Sequence, residues 1–353
     1  MTRIIHVASG REWRGGQRQT WLLVRELQAL GAEQILVTQR GSELARRAKT
    51  AEVPVREVSW TIGIDPRAWW AVRGEVGRGP AILHAHDGHA VTIARWASNA
   101  HTPWIATRRN ATALHDPASW RSAARVVAIS HAVREQLLRD GVEARRIMVV
   151  PSGIDLEATR ATPHEDLRAW ARIPNGGALI VTVAAVDAEK GFDTIPRALA
   201  VLLPARDVRW IVIGEGPLRT TLQAAARAQG ISDRFVLPGH HLDPVQLLRG
   251  ADLFVSASRS EGLGTSVLDA LSLDVPVVAT RSGGTVELLE GDPAQLVPVD
   301  DASALATAIG RMLDQPTLRQ RCVTAGRATV ARYTAQAMAA GMRAVYDSVD
   351  ANR

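Results

Sequence analysis

Residues 256–287 read SASRSEGLGTSVLDALSLDVPVVATRSGGTVE. This stretch follows a short apolar run, Leu253-Phe254-Val255, turns through small residues with Glu261 at its lip, and enters a helix near Thr265-Ser266. Backbone N–H groups at Gly262, Leu263, Gly264 and Thr265 would face out of the loop and helix start, where the helix dipole also favours negative charge. A second apolar run at 275–279 and a second glycine turn, Gly283-Gly284, come straight after. Two phosphate-sized cradles beside a carboxylate, at the carboxyl ends of neighbouring strands, are what an open parallel α/β sheet presents to a ligand.

Working outward, the rest of the chain repeats the strand-and-helix alternation. β-branched runs fall at 4–8, 34–38, 55–58, 82–86, 104–107, 126–129 and 147–150, then again at 179–186, 210–213, 234–237, 253–255 and 295–297. Amphipathic stretches separate them, the pattern of parallel strands with covering helices. The stretch VVPSGIDLEATRATPHEDLRAWARIPNGG at 149–177 is rich in Pro, Gly and charge and reads as a linker. With 353 residues the chain exceeds one ordinary core. The expected fold is α/β with two Rossmann-like lobes facing across a crevice. The lobes are 1–157 and 158–335, and the helix at 336–353 crosses back to the first.

Composition narrows the setting. No apolar run reaches the ~18 to 20 residues that span a bilayer, and the first ten residues lack a signal-peptide core, so a cytoplasmic protein is expected. The single cysteine, Cys322, cannot form an internal disulfide. Residues 1–160 hold 23 Lys+Arg against 15 Asp+Glu, and eight of the ten tryptophans. That combination suits an anionic membrane surface at the inner face, unless the tryptophans are core and the arginines merely solvated. No nucleic acid partner is expected.

Several polar residues stand at strand ends. Gly15-Gly16 follows the first strand, with Arg14 beside it, and lets backbone approach a ligand closely. His84, His86 and His89 close the run ILHAHDGHA, where His84 and His86 share a face; a zinc site would need a third ligand without help from any cysteine. Arg108 and Arg109 leave the fifth strand, placed either for a phosphate or carboxylate or simply at the surface. Lysine is rare: 40 arginines accompany only Lys49 and Lys190. A compact ammonium retained in a glycine-flanked loop suits a point contact to phosphate. Ser266 and Asp269 have capping-box spacing, which could fix the helix start.

In combination, Gly15-Gly16, LHAHD at 83–87, VVAIS at 126–130, VVPSGID at 149–155, VAAVDAEKGFD at 183–193, IVIGEGP at 211–217 and EGLGTSVLDAL at 261–271 resemble the retaining GT-B glycosyltransferases of the family 4, group 1 type. That family includes lipopolysaccharide and lipid-linked sugar transferases. The resemblance implies that Glu261 holds the donor sugar and that Asp269, where the family has glutamate, grips the nucleotide ribose. It implies that Lys190 neutralises the leaving diphosphate, His86 touches the sugar, and Gly16 offers backbone to the phosphate. An arginine usual five residues before the lysine is Ala185 here, so another cation is expected, with Arg109 favoured over Arg14 and Arg108. The implied reaction is transfer from a nucleotide-diphosphate sugar to an envelope glycan or lipid-linked acceptor by front-face substitution. There is no Asp-x-Asp motif, and neither metal nor other cofactor is expected. A sugar phosphorylase, a nucleotide-sugar epimerase or a catalytically degenerate nucleotide-binding subunit would share the architecture.

Overall fold

The computed structural model describes residues 2–61 and 65–351. Its helices and strands divide between two compact units, Met1–Gly153 with Tyr333–Arg353, and Ile154–Arg332. In the first unit β1 (Arg3–Ala8), β2 (Gln34–Gln39), β3 (Val55–Val58), β4 (Ala81–Ala85), β5 (Trp104–Arg108), β6 (Arg125–Ala128) and β7 (Ile147–Val149) form one sheet in the order β3-β2-β1-β4-β5-β6-β7. In the second unit β8 (Ala178–Val183), β9 (Val208–Ile213), β10 (Phe235–Gly239), β11 (Leu253–Ser256), β12 (Val277–Thr280) and β13 (Leu296–Val297) follow the order β10-β9-β8-β11-β12-β13. Neighbouring strands pair in parallel.

Parallel strands covered on both faces are apolar throughout rather than alternating, and this is why the strands were readable. Every residue of β4 is buried, as is every residue of β11. In each sheet the chain starts centrally, runs to one edge, and returns to the other side. That creates one switch point between β1 and β4 and another between β8 and β11, where open sheets bind ligands beyond the strand carboxyl ends. Gly15, Gly16 and His86 follow β1 and β4; Lys190 and Glu261 follow β8 and β11.

The first unit is closed by the last helix, Ala335–Asp350, whose start is capped by Thr334. Met338, Met342, Val345 and Tyr346 bury into one cluster with Ile4, Leu22, Leu23 and Leu27, each such burial contributing about 1.5 to 3 kcal/mol. Gln19 clasps Gly153 with both amide atoms, at 2.9 and 3.0 Å. A side chain at Gly153 would strike Thr334 O at 2.5 Å, so glycine is required where the outgoing and returning chains pass.

Candidate active site

In the second unit the loops after β8 and β11 bring two opposite charges together. Lys190 Nζ donates to Glu261 Oε2 at 2.8 Å, and Ser258 Oγ donates to the same oxygen at 3.2 Å. Both long side chains are about one-fifth exposed, so the pair is accessible from solvent on one side. Lys190 ends a short 3-10 turn, Ala188–Lys190, and Gly191 follows in the left-handed region at φ 60°. A side chain on Gly191 would meet Ala257 O at 2.1 Å, so this glycine allows the lysine loop to lie against the end of β11.

Arg259 staples the two loops, and sequence reasoning missed it. Its backbone N–H donates to Glu189 O at 2.7 Å and Nη1 to Ala188 O at 3.0 Å. The same guanidinium holds Asp193 at 2.7 Å and Asp300 at 2.8 Å, and these bonds keep the Asp300 carboxyl below its usual range. Its partners lie 41 to 71 residues away in the chain, so no local pattern advertises it.

Helix Thr265–Ser272 begins where it was expected, but not by the expected device. Its N-cap is Gly264 at φ 95°, without a side-chain cap, and Ser266 already lies inside the first turn. The capping-box reading of Ser266 and Asp269 is therefore corrected: a left-handed glycine makes the start. The first-turn amides of such a helix have no intrahelical acceptor, and the loop Gly262-Leu263-Gly264 leads into that end at Thr265. Asp269 is buried one turn further on, on the same helical face as Thr265. The second glycine turn is support rather than a separate cradle. Gly284 N–H donates to Glu261 O at 3.2 Å, and a side chain on Gly283 would strike that oxygen at 1.8 Å. Thr285 Oγ1 is enclosed without a hydrogen-bond partner, 3.4 Å from where a Cβ on Gly264 would sit.

The first unit gathers three histidines, His84 and His86 with His6 from β1 in place of His89, which is exposed on the next helix. The rings of His84 and His86 lie 3.9 Å apart. His86 Nδ1 faces Arg109 Nη2 at 3.2 Å, and His86 Nε2 faces His6 Nδ1 at 2.9 Å. Arginine can only donate, so His86 Nδ1 accepts, His86 Nε2–H donates to His6, and the His6 proton sits on Nε2. There it is buried without a hydrogen-bond partner among the described residues. His84 is held by Tyr346 Oη at 2.8 Å and Thr107 Oγ1 at 2.7 Å. Burial drives all three below the ordinary histidine pKa, His6 to about 3. The cluster could take a divalent ion only by surrendering these bonds beside a guanidinium. Both His86 nitrogens are engaged by protein, so its direct geometric partner is Arg109.

The three candidate arginines separate cleanly. Arg14 is largely exposed and paired with Glu12 at 2.5 Å. Arg108 donates to Asn110 O at 3.1 Å and Thr112 O at 2.8 Å, shaping its own loop. Arg109 instead turns inward against helix Gly15–Ala29. A Cβ on Gly16 would contact its Cδ at 3.6 Å, Thr20 Oγ1 is 3.4 Å from Nη2, and Nε is enclosed without a partner. Burial pushes its pKa down to about 10, with Asp87 opposing, so it is still a cation at neutral pH.

Two parallel α/β units, each with charged groups at its switch point, define the GT-B class of fold. Residues 13–158 match the family model described as Glycosyltransferase Family 4 and residues 164–329 match Glycosyl transferases group 1. The chain belongs to this glycosyltransferase family. It is 32% identical over 196 residues to a 2-deoxystreptamine glucosyltransferase of Streptomyces kanamyceticus, covering 53% of this chain and 50% of the relative. It is 33% identical over 199 residues, half of each chain, to a GDP-mannose-dependent alpha-(1-6)-phosphatidylinositol monomannoside mannosyltransferase of Mycolicibacterium smegmatis. The matches thus span about half the length of these curated relatives. The solved structure of Anabaena HepE in complex with UDP-glucose superposes with a TM-score of 0.85 at 18% identity, over 99% of this chain and all of that one.

Proposed function

We propose that the chain is a retaining glycosyltransferase that moves a sugar from a nucleotide-diphosphate sugar to an envelope glycan or lipid-linked acceptor at the inner membrane face. The observation that carries this reading is the accessible Lys190–Glu261 ion pair beside the start of helix Thr265–Ser272. An ammonium and a helix N-terminus suit a diphosphate, and a carboxylate alongside suits sugar hydroxyls. The names of a 2-deoxystreptamine glucosyltransferase and a phosphatidylinositol monomannoside mannosyltransferase among the relatives support the class of reaction.

In this reading Lys190 leaves Glu261 for the donor diphosphate and stabilises the charge that grows as the glycosidic bond breaks, while Glu261 aligns the sugar. The departing phosphate oxygen accepts the acceptor's proton on the face it leaves, so configuration is kept and no protein nucleophile is needed. Asp269 grips the ribose. Lys190 and the helix start supply the positive charge, and no metal is required. Arg109 over Gly16, held by His86, binds an oxyanion of a substrate. Incubation with nucleotide sugars and a lipid acceptor extract, followed by NMR of the product's anomeric proton, tests it: retained configuration in the presence of chelator is expected. Inversion, or strict dependence on a divalent ion, would overturn it.

A further inference from the structure

Of the front-half tryptophans, Trp60, Trp104 and Trp120 are core, at 7, 5 and 5% exposure. Trp70 and Trp96 are 69% and 59% exposed, and they are the exposed large aromatics among the described residues. They stand on helices Pro66–Val76 and Gly88–Ala97, which pack against one another. Arg67, Trp70 and Arg73 recur at helical spacing along the outer side of the first helix, with Ala68, Val72 and Val76 buried beneath. Arg73 Nη1 donates to Ala97 O at 3.1 Å, tying the first helix to the end of the second, one residue after Trp96.

The exposed charges on the two helices themselves are positive. The only acid on either helix is Glu75, which is 3% exposed beneath Arg3 and Arg78. Asp65, at the cap, is 1% exposed beneath Arg67. Arg67, Arg95 and His89 are exposed. Beside Arg95 stands one exposed acid, Asp116, which shares Ser119 with it and partly offsets its charge. Exposed indoles favour the headgroup level of a bilayer, and an excess of exposed arginine favours anionic lipid.

We infer that the outer face of helices Pro66–Val76 and Gly88–Ala97 docks the protein on an anionic bilayer, with Trp70 and Trp96 entering the interface and the arginines meeting lipid phosphates. This rests on the envelope-acceptor reading for its purpose, but vesicle binding requires neither donor nor acceptor, so transfer activity can stand if docking fails.

The test is cosedimentation of the full chain with phosphatidylglycerol–phosphatidylcholine vesicles and with phosphatidylcholine alone. Binding to the first, lost at high salt, and little binding to the second are expected. Trp70→Ser with Trp96→Ser should weaken binding at least ~10-fold at an unchanged thermal midpoint. Leu242→Ser, an exposed apolar site on the other unit, should bind like wild type. Wild-type binding by the tryptophan double variant, or none by wild type, would overturn the inference. So would self-association without vesicles that the double variant abolishes, which would make the occupant a second copy.

Discussion

Lys190 and Glu261, 71 residues apart, meet through a single 2.8 Å hydrogen bond between Nζ and Oε2. The proposed reaction has donor phosphate replace this carboxylate on Lys190. Lys190→Ala should therefore weaken nucleoside diphosphate binding by about 1.5 to 3 kcal/mol, the range for a hydrogen bond to a charged group. Calorimetry with the nucleoside alone should show almost no change; equal losses for both ligands would mean a structural lysine.

Arg259→Ala should separate stability from binding. Its ion pairs are one-third exposed or more, so the cost in folding stability should stay near ~1 kcal/mol or less. Donor KM should rise several-fold, because the lysine loop is no longer held against β11. A large fall in thermal midpoint with unchanged KM would contradict the staple.

The histidine cluster makes an acid-side prediction. His6 titrates near 3 when folded but at its ordinary 6.5 when unfolded, and His84 and His86 shift the same way. Below pH 6.5 the unfolded chain takes up protons that the folded one refuses, so the neutral cluster's stability is full above that pH and is lost as pH falls towards 3. His6 contributes a slope of up to about 1.4 kcal/mol per pH unit in that window, and His84 and His86 act in the same direction. Denaturation at pH 7, 6 and 5 should show a shallower fall for His6→Asn, which keeps an acceptor for His86. An identical fall in both proteins would remove His6 from the account.

Much of this was legible beforehand, for identifiable reasons. Buried parallel strands are apolar runs, and Lys190 stood out because 40 of 42 basic residues are arginine. His6, Arg259 and Tyr346 were silent because their partners lie far along the chain; Tyr346 meets His84 across 262 residues. Ser266 and Asp269 misled through correct spacing in the wrong frame, since Gly264 rather than a side chain starts the helix. The tryptophan total could not sort buried Trp104 from exposed Trp96, because that depends on which helix face packs inward.

Arg109 should bind its anion only while His86 is neutral at Nδ1. Nitrogen-15 NMR of the imidazoles should place the His86 proton on Nε2. Arg109→Ala should release that tautomer preference and weaken diphosphate or phosphorylated acceptor binding by about 1.5 to 3 kcal/mol. A proton on His86 Nδ1 in wild type would break the hydrogen-bond chain at its first link.

The most direct measurement is turnover of Glu261→Gln with the nucleotide sugar that the wild-type protein uses, alongside its nucleotide affinity. Losing the carboxylate charge at the reacting centre should lower turnover at least ~100-fold while leaving the fold and most nucleotide binding intact. Near-normal turnover would contradict the account, because it would put the reacting sugar somewhere other than beside Glu261.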